Sequence, residues 1–336
     1  MARERRVPAP PPHGLWRRLL RRPELGAFVG VVLIYAIFAA TAKAGFLTVA
    51  GTASWMATAA ELGVLAIPIG MLMIAGEFDL SVGSVIGGAS MIVSIGTGYY
   101  SLPIWLSITI AILAGALIGL VNGLITVRTG LPSFIVTLAG LFAVAGAALG
   151  VARSLIGTSA MAVYPSGSAK AVFGSEWNGF NVSIAWWIAI AIGASWVLHR
   201  TRFGNWIFAT GGDVDAARAA GVPTRLVKVV LFISTAVAAV LVGVLQTVQY
   251  NGGDVSFGTS FVFAAPVAAV IGGVLLGGGY GSAVGVVLGT TIFAIVNVAI
   301  FYTDLNSDWS ELIIGILLLL AVLANNFFRR LAMAPR

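Results

Sequence analysis

The sequence predicts an all-α, polytopic membrane protein of about ten transmembrane helices. Three observations carry that reading. Hydrophobic residues make up 59% of the 336-residue chain and charged residues only 9%, whereas a soluble domain carries roughly 25% charged residues. Apolar runs of about 20 residues, the length of helix that crosses a bilayer core, follow one another with short breaks. Lysine and arginine gather beside those runs, where they set orientation.

Residues 1–25 form a basic, proline-rich tail beginning MARERRVPAPPPHGLWRRLLRR. It resembles the start of a signal peptide, but nine further spans make an uncleaved anchor the expected outcome. The predicted spans are 26–47, 55–75, 80–98, 103–127, 132–151, 183–198, 228–249, 260–277, 282–302 and 310–328. Together 26–328 reads as one transmembrane domain, followed by a short tail, 329–336. With the N-terminus in the cytoplasm, 16 of the 19 Lys and Arg lie in inside segments, and only Lys43, Arg153 and Lys170 lie outside. Both termini are therefore expected in the cytoplasm, with an even number of spans. The 152–182 loop, NGGDVSFGTS and YTDLNSDWS are then outer loops. The tail and a long loop, 199–227, face the cytoplasm.

Small residues predict close helix packing. Gly115, Gly119 and Gly123 share one face, and Gly285 and Gly289 another. A faint repeat relates SVIGGAS (84–90) to AVIGGVL (269–275), and SFIVTLAGLFAV (133–144) to ELIIGILLLLAV (311–322). It suggests an inverted repeat of five plus five spans, a plan that places a substrate path between the halves.

Composition excludes several chemistries. The chain has no cysteine, hence no disulfide frame, thiolate metal site or cysteine nucleophile. Its two histidines, His13 and His199, stand alone, so no metal site is expected. The net charge of +7 is spread as topology signals, which argues against a nucleic-acid partner. No GxxxxGK[ST] occurs, so no P-loop binds ATP here and no cofactor is expected.

Two polar stretches stand out. GEFDLSVGS (76–84) places Glu77 and Asp79 between apolar runs, where a carboxylate at the middle of a membrane helix costs about 2.5–3.5 kcal/mol. One reading puts both acids past the hydrocarbon, with Asp79 or Ser81 capping a helix that starts near Val82. The other is a broken helix facing a translocation path, with Glu77, Phe78, Asp79 and Ser81 on it. Asn122, Thr137, Gln246, Gln249 and Asn297 are further polar candidates for that path. Each also suits an interhelical hydrogen bond. Glu61 is a costly isolated acid in its span that can lie near the outer interface.

The second stretch is the 199–227 loop, HRTRFGNWIFATGGDVDAARAAGVPTR. Connectors are usually only a few residues long. This one reads as carrying a short helix, with Asp213 and Asp215 at its N-terminus and Gly221 and Pro223 at its end. A capped helix on the cytoplasmic face suits docking of a soluble partner.

DAARAAG (215–221) resembles the EAA-xxx-G coupling segment of bacterial ABC importer permeases, with Asp for Glu. FDLSVGS, LPSFIVTLAG (131–140), Asn122–Gly123, TRFGNWIFATGGDVDAARAAGV and VAAVIGGVLLGGGYGS resemble, in order and spacing, the ribose/xylose/galactoside permease family. The resemblance covers about residues 50–330. It implies an all-helical permease subunit, not an enzyme, in a bacterial inner membrane. Its implied partners are cytoplasmic ATPase subunits that bind ATP and Mg, a second permease subunit and a periplasmic binding protein. The implied cargo is a monosaccharide or small polyol. It assigns Asp213, Asp215, Ala216, Ala217 and Gly221 to ATPase coupling. Two departures leave the particular cargo open: Glu77 stands where the family usually has Gly, and Val262 and Ala264 where many members carry acids.

Three rivals remain at this level. A related ABC permease for nucleosides or branched-chain amino acids keeps the machine and changes the cargo. A stand-alone secondary transporter needs ionisable residues in mid-span, for which only Glu61 qualifies. A membrane enzyme lacks any nucleophile–base pair or metal cluster to support it.

Overall fold

The computed structural model describes residues 23–333 except 43, 166 and 305. Expectations for the N-terminal tail and for Lys43 lie outside the described residues. The chain is helical almost throughout. α1 (Pro23–Thr41) leads through a 3-10 turn (Ala44–Leu47) to α2 (Val49–Ile74). An unwound segment precedes α3 (Val82–Ser94), which continues as a π turn, Ile95–Tyr99. α4 (Ile104–Thr129) and α5 (Ser133–Ile156) each end on a left-handed glycine, Gly130 and Gly157. The next segment carries β1 (Ala160–Ala162), α6 (Gly167–Phe173) and the small hairpin of β2 (Glu176–Trp177) with β3 (Phe180–Asn181). α7 (Ser183–Arg200) is followed by α8 (Arg202–Gly212), α9 (Val214–Ala219) and α10 (Thr224–Gln249). β4 (Gly252–Asp254), α11 (Phe261–Ile271), α12 (Ala283–Ala299) and α13 (Trp309–Met333) complete the chain.

Among the described residues, seven helices are long and apolar enough to cross a membrane: α1 to α5, α10 and α12. α7, α11 and α13 stand where the other three spans were expected. Burial sorts them. The apolar stretch of α2 is 78% buried and that of α5 only 11%, so α2 is an interior helix and α5 a lipid-facing one. α3 and α10 join α2 in the interior, with α10 packed on α4, α3 and α2, and α12 on α2. The exposed side chains of α1, α4 and α5, such as Leu33, Leu113 and Phe142, are the apolar surface that acyl chains cover.

Without a hydrophobic drive between helices in lipid, close backbone contact has to hold them. The glycine face of α4 supplies it: a Cβ on Gly119 would sit 2.5 Å from the Phe232 carbonyl oxygen of α10. Gly289 does the same between α12 and the Ala268 carbonyl of α11.

Four expectations are corrected. The run 260–277 is not one helix: α11 stops at Ile271 after 11 residues, because Gly273, Gly278, Gly279 and Gly281 all take positive φ. α2 begins at Val49 rather than 55, where Thr48 caps it by accepting from the Gly51 N–H at 3.1 Å. α13 stays helical to Met333, past the predicted span end at 328. NGGDVSFGTS is not a surface loop alone. β4 pairs antiparallel with β1, and the chain then descends along α3, with Gly258 against Gly83.

That descent depends on Gly87 of α3, where a Cβ would meet the Val255 carbonyl oxygen at 2.0 Å. Overpacking of this kind costs about 1–3 kcal/mol. Gly87→Val is expected to lower the melting temperature of the purified protein clearly. Gly146→Val, at a lipid-facing site with nothing within 4 Å, is expected to leave it nearly unchanged.

Candidate functional site

Three polar regions interrupt this apolar bundle. The first is the unwound segment 75–81. A backbone N–H left unsatisfied in the bilayer core costs several kcal/mol, so each must find a protein acceptor. The N–H groups of Gly76 and Glu77 reach back to the Met73 and Leu72 carbonyls. α5 supplies two hydroxyls: Ser133 Oγ accepts from Phe78 N–H at 3.0 Å and Thr137 Oγ1 from Leu80 N–H at 3.1 Å. Asp79, 1% exposed, accepts from Ser81 N–H at 3.0 Å and Ser81 Oγ at 2.6 Å through Oδ1, and from Thr235 Oγ1 of α10 at 2.7 Å through Oδ2. Asn122 of α4 donates to Ser81 Oγ at 2.9 Å. Glu77 pairs with Lys228 of α10.

The structure thus brings Glu77, Phe78, Asp79, Ser81, Asn122 and Thr137 together in a buried hydrogen-bonded network. The expected cap is corrected. Ser81 is the N-cap of α3 but makes no side-chain cap bond, and Asp79 closes a turn on Ser81 instead of reaching into the helix. Glu77 escapes the cost of a lone buried carboxylate by pairing with a lysine 151 residues away. No local sequence signal marks Lys228, Thr235 or Ser133 as its neighbours.

The second region is the 199–227 connector. Two helices occupy it where one was expected. Thr201 caps α8 by accepting from Gly204 N–H at 3.1 Å. Asp213 caps α9, its Oδ1 accepting from Asp215 N–H at 3.0 Å and Ala216 N–H at 2.9 Å. α9 closes at Gly221 (φ 82°), with Gly221 N–H donating to the Arg218 carbonyl and Val222 N–H to that of Ala217. Ala217 is buried, while Asp213, Asp215, Ala216 and Gly221 are exposed. The Arg218–Asp215 pair at 3.3 Å is exposed and contributes little. The end of α8 is wedged into the bundle. A Cβ on Gly211 would lie 1.7 Å from the Ile74 carbonyl oxygen, and Gly279 N–H donates to that same oxygen at 2.8 Å. Gly76, Gly211 and Gly278 therefore meet backbone to backbone.

The third region is a cavity of about 870 Å³ bounded by α2, the end of α10, α11, α12 and α13. Glu61, Gln246, Gln249, Asn297 and Glu311 line it, so the remaining three predicted path residues meet here, apart from the 75–81 network. Gln246 Nε2 donates to Glu61 Oε2 at 3.0 Å. Tyr250, also on the cavity, has its phenol pushed up to about 12 by desolvation and then by the charge of Glu61, so it stays a neutral hydroxyl at physiological pH. Glu311 and Tyr250 carried no signal in the sequence that tied them to this place. Among the described residues, no group of three or more His, Asp or Glu could hold a metal.

A family model described as the permease component of branched-chain amino acid transport systems matches residues 51–322. The galactose/methyl galactoside import permease protein MglC of Escherichia coli (strain K12) is 30% identical over 273 residues, covering 77% of this chain and 81% of that protein. The inner membrane ABC transporter permease protein YjfF of the same strain is 28% identical over 298 residues, covering 88% and 89%. Its xylose transport system permease protein XylH is 27% identical over 376 aligned positions, covering 93% and 94%.

The ion pair gives a prediction. Removing one partner of a buried pair leaves an uncompensated charge and costs about 3–5 kcal/mol. Lys228→Met and Glu77→Gln should each lower thermal stability, and the double variant should recover much of the loss, with a coupling of about 1–3 kcal/mol. Denaturation of the four proteins in one detergent measures it. Asp79→Ala should also destabilise, because it leaves the Ser81 N–H and hydroxyl without their acceptor, at about 1–3 kcal/mol each, while the Thr235 hydroxyl keeps the Phe232 carbonyl at 2.9 Å.

Proposed function

The chain belongs to the family of branched-chain amino acid transport system permease components, and on that premise we propose that it is the membrane subunit of an ABC importer for a monosaccharide or small polyol. Its relatives MglC and XylH are named as galactose/methyl galactoside and xylose permeases. In this reading it is not an enzyme. It works beside a second permease subunit, takes cargo from a periplasmic binding protein and is driven by ATP hydrolysis on cytoplasmic ATPase subunits. Both termini lie in the cytoplasm.

One observation carries the reading: an exposed, doubly capped helix on the connector is in backbone contact, through Gly211 at the end of α8, with the break after α2. A partner that grips α9 moves a rigid lever. Gly211 transmits that movement to Ile74, Gly76 and the Gly278–Gly279 turn, where the bundle is already interrupted and can rearrange. A connector that served only to join two spans needs neither two caps nor this wedge.

Cargo chemistry is read from the cavity. No Lys, Arg or His is among the described residues that line the cavity, so its wall offers an amino acid's carboxylate no cation, only the start of α11 at Ser260 and Phe261. Glu61 alone supports a proton-coupled transporter working without partners, and that reading leaves α9 without a role.

Gly221→Val tests the coupling. Nothing lies within 4 Å of the position, but its φ of 82° strains any β-branched side chain, at a cost of about 1–2 kcal/mol. Sugar uptake by the complete importer is expected to fall severalfold, and ATPase activity to lose its dependence on loaded binding protein or the ATPase to stop copurifying. The melting temperature of the permease is expected to change little. Unchanged uptake, assembly and stimulation would remove the lever from the mechanism. Reporter fusions at Arg336 and within 157–182 check the topology, and a periplasmic signal at Arg336 would contradict it.

A further inference from the structure

The outer cavity holds polar groups that the fold itself does not use. Gln246 is 5% exposed. Its amide nitrogen is committed to Glu61, and its Oε1 is buried without a partner, as is Oε1 of Gln249. Buried acceptors of this kind are normally bonded. The second oxygen of Glu61 takes no hydrogen bond from the described residues either, and Glu61 is 7% exposed within the wall. The oxygen of Glu61 that Gln246 leaves free wants a hydroxyl donor. Asn297 and the Tyr250 hydroxyl add further polar groups, and Phe261 and Phe293 give apolar walls for a C–H face. The titratable groups on the cavity are Glu61, Glu311 and Tyr250, and no Lys, Arg or His is among the described residues that line it.

We propose that this cavity is a cargo-holding site for an uncharged polyhydroxyl molecule of monosaccharide size, with Glu61 accepting hydrogen bonds from its hydroxyls, and that Glu61 and Glu311 disfavour anionic cargo. The inference rests on the importer reading and deepens it, by placing the cargo within one permease chain and excluding sugar acids and sugar phosphates. Glu61 is the specificity residue. Its position is fixed by Gln246, and its free oxygen matches the hydroxyls that unphosphorylated sugars present.

The cysteine-free chain permits a direct test. Ala57 lines the cavity without a polar role, and Ala57→Cys introduces a single thiol there. In membrane vesicles a cationic methanethiosulfonate is expected to modify it about tenfold faster than an anionic one. Glu61→Gln should shrink that ratio severalfold. D-xylose, D-galactose or D-fructose should slow modification in the Glu61 protein and not in Glu61→Gln, while D-galacturonate and glucose 6-phosphate protect neither. In the complete importer, Glu61→Gln should raise the KM for the protecting sugar at least severalfold. Equal rates for the two reagents, protection by the anionic sugars, or no protection by any neutral sugar would overturn the site. If that failure occurs while the importer still carries a neutral sugar, the importer reading stands. Transport confined to an anion or an amino acid would overturn both.

Discussion

A bilayer core offers no water, so a polypeptide that stops being helical inside it must find every hydrogen-bond partner within the protein. Residues 75–81 meet most of this demand, with protein acceptors for every N–H but that of Asp79, and the rest of the bundle is arranged around them. α5 is otherwise lipid-facing, yet its first turns turn Ser133 and Thr137 inward to accept from Phe78 and Leu80 N–H. α10 places Lys228 and Thr235, two helical turns apart, against Glu77 and Asp79. α4 contributes Asn122 on the same side as its glycines, which bring α4 close enough to α10 for the network to close. Remove one of these and a charge or an N–H is stranded in a medium that cannot solvate it.

This constraint links mechanism to packing. A continuous helix resists bending, because each residue is held four residues on. A break stabilised by side chains from three other helices can exchange one set of partners for another at a modest net cost. The connector helices touch the bundle at this break, through Gly211 on the Ile74 carbonyl. The Gly278–Gly279 turn, which ends the short α11, meets them from the other side. Two interrupted helices and the end of α8 therefore converge on a single patch of bare backbone. It is bare because a side chain at Gly211 would occupy the space of the Ile74 carbonyl.

The cavity beside Glu61 has the opposite character. In the 75–81 network Asp79 has donors on both oxygens and Glu77 pairs with Lys228, whereas beside the cavity Gln246 Oε1 and Gln249 Oε1 are without partners. A saturated network holds a shape, and unsatisfied buried acceptors await a ligand. The difference separates residues that seem alike in sequence: Asp79 and Glu61 are both buried acids in apolar surroundings, and only one has donors from its own chain on both oxygens.

The sequence by itself determined the class of the protein. Apolar length, the scarcity of charge and the placement of arginine specify helices that cross a membrane, since lipid admits few alternatives. It also determined the connector helix, because capping is local: Asp213 lies two and three residues from the N–H groups it accepts from, and Gly221 ends the helix by its own conformational freedom. What the tertiary structure decided is who meets whom across long stretches of chain. Lys228 reads as a topology signal until it is found beside Glu77, and Glu61 reads as an isolated acid until Gln246, 185 residues on, donates to it. The apolar run 260–277 reads as one span until the glycines after Ile271 turn it back toward Gly76. Such pairings leave no period in the sequence, because helices in lipid select their neighbours by the fit of small surfaces and the partners each buried polar group can reach, and both exist only once the bundle is assembled.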